Sequence, residues 1–181
     1  MTLHLLRDEI HPVRQVMSEY ANGSHGIVMT FVFYAFGVSA LALGYRLSRT
    51  RERRRSMRAV PWLLGLGGIS LIAAGVFEVE RPLVPDTIEE VIHSNATIVA
   101  FVLVIAAMVV LSYAARSEPR WRSFRWISLA LTIVAALAAM GGPLTADTGW
   151  SGAVQRVLGF SVLSWLLLTA LHVRTKAFRS A

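Results

Sequence analysis

Apolar residues run almost without interruption through five stretches of the chain, roughly 27–45, 59–77, 96–115, 126–146 and 157–173, and charged residues collect between them. Each stretch approaches the ~20 residues that a helix needs to cross ~30 Å of hydrocarbon. Backbone in that medium must satisfy its own polar groups, so each stretch predicts a helix. The stretches are apolar all round, as suits helices that face lipid and one another. The expected fold is therefore all-α: a polytopic membrane bundle of five transmembrane helices.

Polar residues between the stretches sort by side. The connection 46–58 holds seven arginines against Glu52, the connection 116–125 holds Arg116, Arg120, Arg122 and Arg125 against Glu118, and the tail adds Arg174, Lys176 and Arg179. The positive-inside rule makes these three segments cytoplasmic. The N-terminus and the connections 78–95 and 147–156 then lie outside, and they carry Asp8, Glu9, Glu19, Glu78, Glu80, Asp86, Glu89, Glu90 and Asp147. All segments alternate correctly across five spans, so the expected topology is N-out/C-in, multi-pass, in the cell inner (plasma) membrane.

That sorting also interprets the net charge of +7 and the pI near 11.0. The basic loops suit anionic headgroups on the cytoplasmic surface, each arginine contributing about 1 kcal/mol there. Membrane lipids, and no nucleic acid, are the expected partners. With 181 residues, the spans leave no room for a separate soluble domain. Three regions are expected: a polar extracytoplasmic lead-in at 1–24, the five-helix domain at 25–173 and a basic cytoplasmic tail at 174–181.

Cysteine is absent, which removes disulfides and thiolate chemistry. The apolar run 3–6 is too short for the core of a signal peptide, so the first span is expected to direct its own insertion. Within the lead-in, Pro12 and Asn22-Gly23 mark turns. Val13, Val16, Met17 and Tyr20 would share one face of a short interfacial helix.

Small residues predict where helices meet. Gly37, Ala40 and Gly44 form a stripe on the first span, Gly65, Gly68 and Gly75 on the second, and Ser128, Thr132, Ala135 and Ala139 on the fourth. Tight packing inside one bundle is the simpler reading, a homo-oligomer the other. Trp62, Trp121, Trp126 and Trp150 fall near span ends, as an interfacial belt requires. His172 beside Arg174 reads as an anchor at the same level, and less simply as a haem ligand.

Candidate chemistry gathers at the outer boundary. The second span runs out through Glu78, Glu80 and Arg81, the third opens at His93, Ser94 and Asn95, and the fifth opens with Gly152, Gln155, Arg156 and Gly159 on one face. Glu80, His93 and Arg156 could meet in one pocket, with Gln155 and Tyr20 as further ligand-binding groups. No ionisable side chain lies deep in any span, against the habit of ion-coupled carriers.

Three places carry a family resemblance: the stretch 12–23 with Ser18 and Tyr20, the hairpin from Gly75-Val76-Phe77 to Ile92-His93, and 152–156. On them the chain resembles the domain-of-unknown-function 998 group of small bacterial integral membrane proteins, over about His11 to His172. The resemblance implies a helical fold and a polar outer site and brings no established reaction. Family members usually carry an aspartate after the Gly-x-Phe, where Glu80 is the counterpart here. They also commonly have another hydrophobic helix before the Ser-x-Tyr stretch, which implies a reduced version or completion by a second copy.

The leading functional reading is non-enzymatic: binding of a lipid or other apolar small molecule, or a structural role in the membrane, with no cofactor. Glu80 and Arg156 would then form an ion pair, and His93 would anchor the third helix. The alternative is an intramembrane hydrolase or transferase acting on lipid at the outer face, with His93 as base, Glu80 as acid or orienting group, Arg156 on a phosphate, and Ser18 or Ser94 as nucleophile. A catalytic zinc wants three protein ligands, which His25, Glu80 and His93 could supply only if the outer end of the first helix approaches the hairpin. A transporter, or an accessory subunit of one, is the third class.

Overall fold

A computed structural model of the chain describes residues 11–17, 20, 26–49, 57–77, 87–145 and 147–178, with side chains through 175. Helices α1 (Gly26–Ser48), α2 (Ala59–Val76), α3 (Ile88–Ala114), α4 (Arg125–Leu144) and α5 (Ser151–Phe178) make up most of it. All five are long and apolar enough to cross a membrane. No strand occurs among the described residues.

Local chemistry sets several helix ends. Thr87 caps α3 by accepting a hydrogen bond from the Glu90 N–H at 3.3 Å, and Glu89 and Glu90 sit in the first turn, where the helix dipole favours acids. The helix therefore begins well before the apolar run at 96–115. Its 27 residues extend about 40 Å, more than the ~30 Å of hydrocarbon. His93 thus stands inside a helical turn instead of at its mouth. Likewise α4 ends one residue past Pro143, which has no N–H to continue the ladder.

Sequential helices pack as antiparallel neighbours: α1 against α2, α2 against α3, and α4 against α5, with α3 joining the two groups through α4. The α1–α2 seam is the tightest. A Cβ on Gly37 would lie 2.6 Å from the Gly68 carbonyl oxygen, and one on Gly68 would lie 2.7 Å from that of Gly37, so the two backbones touch where only glycine fits. Gly44 and Gly75 continue the seam against Pro61 and Phe33. Gly65 departs from the expected stripe, with open space beside it, while Gly67 faces α3 at Ala100 and Val104. One turn of α2 serves two neighbours, which spacing alone does not reveal.

A polar knot holds α3, α4 and α5 together inside the apolar core. Ser112 Oγ and Ser128 Oγ are 2.7 Å apart, the Trp165 indole N–H donates to Ser128 Oγ at 2.8 Å, and Thr132 returns its hydroxyl to the Ser128 carbonyl at 2.7 Å. Ser128 and Trp165 are completely buried. In hydrocarbon such groups need partners, and here they find one another across helices.

One expectation is corrected. Trp121 is buried, not part of an interfacial belt: it packs at 4.8 Å on the His172 ring, which also stacks on Phe124 at 5.2 Å. His172 Nε2 lies 2.9 Å from the Arg120 carbonyl oxygen and pins the 116–125 connection to α5. Trp62, Trp126 and Trp150 are exposed, as a belt requires. In the lead-in, residues 12–15 form turns and a bend and Met17 and Tyr20 take 3-10 helical geometry, while the rest of the stretch expected to form an interfacial helix lies outside the described residues. The carbonyl groups of Val13, Arg14 and Gln15 accept hydrogen bonds from α5.

Candidate functional site

The start of α1, the end of α2, the starts of α3 and α5 and the lead-in share one face of the bundle. Two clusters form there. In the first, His93 is buried on α3 and its Nδ1 donates toward two carbonyl oxygens at the end of α2, that of Ala74 at 2.7 Å and that of Phe77, the residue after the helix, at 3.1 Å. Both partners are acceptors, so Nδ1 carries the proton in this arrangement. These carbonyls belong to the last turn of α2, which has no helical N–H left to receive them. The imidazole is therefore a side-chain cap on the neighbouring helix. Its ring meets Phe33 of α1 edge-on at 5.3 Å, so one residue ties three helices.

The second cluster is a clasp between α5 and the lead-in. The Ala153 N–H donates to the Val13 carbonyl at 3.0 Å, Ser151 Oγ donates to the Arg14 carbonyl at 2.6 Å, and the Met17 N–H donates to Gln155 Oε1. Arg156 Nη1 donates to the carbonyls of Gln15 at 3.0 Å and Gly152 at 2.9 Å, while Nη2 lies 3.4 Å from the Tyr20 hydroxyl and the guanidinium carbon sits 5.7 Å from the Tyr20 ring centre. The free N–H groups of the first turn of α5 need acceptors. The Val13 carbonyl serves the Ala153 N–H in this way, and the Arg14 and Gln15 carbonyls accept from the Ser151 and Arg156 side chains.

Gly152 makes the clasp sterically possible. A Cβ there would come within 2.8 Å of the Pro12 carbonyl oxygen and closer still to that of Gln15.

Between the clusters lies an apolar cavity of about 50 Å³, walled by Met17 of the lead-in, Met29 and Phe33 of α1, Thr97 and Phe101 of α3, and Gln155 and Gly159 of α5. The Thr97 hydroxyl is buried without a hydrogen-bond partner. The cavity touches both clusters, through Phe33 on one side and Gln155 on the other.

Of the residues expected to form a site, Tyr20, Gln155 and Arg156 come together. His93 stands apart from them, joined to Arg156 by neither a hydrogen bond nor a ring contact. Helix rotation turns His93 toward α2, whereas Arg156 turns toward the lead-in. Glu80, Ser18 and His25 lie outside the described residues, and Ser94 is exposed. Among the described residues no three metal-ligating side chains gather. Sequence reasoning did not single out Phe33, Thr97 or Met17 as site residues, since phenylalanine, threonine and methionine are common in and beside membrane helices and carry no distinguishing mark there.

A family model described as Protein of unknown function (DUF998) matches residues 1–172. No curated protein and no solved structure matches the chain.

Proposed function

The chain belongs to the DUF998 family, and from that membership and the geometry of the His93 face we propose a non-enzymatic multi-pass membrane protein that binds the end of an apolar chain beneath the lead-in. In this reading the arginine-rich connections face the cytoplasm, the His93 face is external in an N-out/C-in protein of the plasma membrane, and the ligand comes from the outer leaflet.

The observation that carries the reading is the unpartnered Thr97 hydroxyl in the wall of an otherwise apolar cavity. A buried hydroxyl without a partner costs about 1–3 kcal/mol. An amphiphile with an apolar chain and one oxygen would relieve it. Two methionines in the wall suit such a ligand, because thioether side chains adapt to irregular shapes. The polar residues that could have served catalysis are engaged in holding the fold: His93 Nδ1 caps α2, and Arg156 binds backbone carbonyls. Gln155 stands at the cavity edge with its Oε1 on the lead-in.

Photo-crosslinking with a diazirine-bearing long-chain alcohol tests the proposal. Labelling is expected on peptides containing Met17, Thr97 or Phe101 and is expected to vanish in Gly159→Leu. That substitution fills the cavity where a Cβ meets only Met17 Sδ, at 3.9 Å. Undiminished labelling in Gly159→Leu would refute the site. Chemical conversion of a membrane lipid by the purified wild type, lost in His93→Ala, would overturn the non-enzymatic reading in favour of the hydrolase.

A further inference from the structure

A second, larger cavity is on the opposite face, away from the lead-in. It is a groove of about 930 Å³ between α1 and α5. These two helices meet over only a short stretch, because α1 leans on α2 and α5 on α4. One wall is the α1 stripe Ser39, Ala42 and Arg46, and the other is the α5 stripe that contains Leu163, Leu167 and Arg174. Offsets of three and four keep each stripe on one helix face. Both stripes end in an arginine at the same end of the bundle.

We propose that this groove binds one anionic phospholipid of the cytoplasmic leaflet, with its acyl chains between α1 and α5 and its phosphate between Arg46 and Arg174. The site is separate from the cavity under the lead-in. Dimensions support it first. At 1.5 Å per residue, Ser39 to Arg46 spans roughly 10 Å and Leu163 to Arg174 roughly 16 Å. One leaflet contributes half of a ~30 Å hydrocarbon core, so the apolar walls match an acyl chain and the arginines reach headgroup depth. A water-soluble anion would have no use for those walls.

Charge supports it second. Both guanidiniums are exposed, and neither has a carboxylate partner among the described residues. Guanidinium groups present paired N–H donors to a phosphate. A second copy of the chain is a poorer occupant. In a two-fold pairing through this groove the same patch meets itself, which would gather two Arg46 and two Arg174 side chains at one depth.

Native mass spectrometry of the full chain tests this, after incubation in detergent with an equimolar mixture of phosphatidylglycerol and phosphatidylcholine. Wild type is expected to retain one phosphatidylglycerol in preference to phosphatidylcholine. The double variant R46A/R174A is expected to lose that preference by about thirtyfold, the size two arginines at an anionic surface provide. Ala42→Trp should exclude both lipids with the arginines intact. All three positions are exposed, so the fold should tolerate the changes, and melting curves matching wild type are the expected check. Equal retention of the two lipids by wild type, retention unchanged in Ala42→Trp, or a dimer that Ala42→Trp dissociates would each overturn the proposal.

Discussion

Gly152 of α5 lies against the carbonyl group of Gln15 in the lead-in, with no space between them for a side-chain carbon. The contact brings the Gln15 oxygen to the guanidinium of Arg156 at 3.0 Å and lets the Ala153 N–H reach Val13. Gly152→Ala should therefore unseat the lead-in without disturbing the spans. The expected loss is about 1–3 kcal/mol, the usual size for overpacking. Detergent melting would register it, and limited proteolysis should cut near residues 11–17 faster than in wild type. An unchanged cleavage rate would show that the clasp does not depend on this glycine.

His93→Ala removes the cap from the last turn of α2 and the edge-on contact with Phe33. Two partly buried carbonyls lose their donor, so destabilisation of about 2–4 kcal/mol is expected from the lost cap and lost packing together. His93→Asn, which restores a short side-chain N–H donor, should recover part of the melting temperature. His93→Phe keeps apolar packing without the donor and should not recover the capping contribution. Equal melting of all three variants would rule out the capping role.

Gly37→Ala should loosen the α1–α2 seam, since the new carbon would meet both the Gly68 carbonyl and the Ile72 side chain. A cost of about 1–3 kcal/mol is expected. Gly65→Ala, a substitution of the same kind one turn from Gly68 on α2, meets nothing within 4 Å and should leave melting unchanged or slightly raised. The contrast between the two variants is the measurement.

Ser128→Ala leaves the Trp165 indole N–H and the Ser112 hydroxyl without their shared partner. The expected cost is about 1–3 kcal/mol, because buried donors in an apolar core have no water to turn to. Tryptophan fluorescence should report it as well, since Trp165 is the completely buried indole in the knot. Ser128→Thr keeps the hydroxyl but adds a methyl at a fully buried position, so it should retain the spectral position while losing some stability.

His172→Leu should free the 116–125 connection from α5, through loss of the contact with the Arg120 carbonyl and of stacking on Trp121 and Phe124. Faster proteolysis near Arg120 and Arg122 is the expected readout. The fold of the spans should persist, since the altered contacts lie at one end of the bundle.

The number of spans, their approximate positions and the crowding of arginine into alternate connections could be read directly. Partitioning into hydrocarbon depends on the summed apolarity of ~20 neighbouring residues, and that sum is a local property of the chain. The glycines of the α1–α2 seam were legible for a related reason, since small residues repeated at helical spacing have few other uses in a membrane helix.

Rotation of each helix about its axis was not legible, because it follows from how all five pack together. His93, expected to face Arg156, turns to α2 and caps it. Trp121, expected at the membrane surface, is enclosed by His172. The lead-in gives its carbonyls to the Ser151 hydroxyl, the Arg156 guanidinium and the Ala153 N–H of α5, a pairing between residues more than a hundred positions apart. Composition decided that the chain crosses a membrane and where. Only the assembled bundle decided which polar groups meet, because a hydrogen bond requires a direction and a distance that no run of neighbouring residues contains.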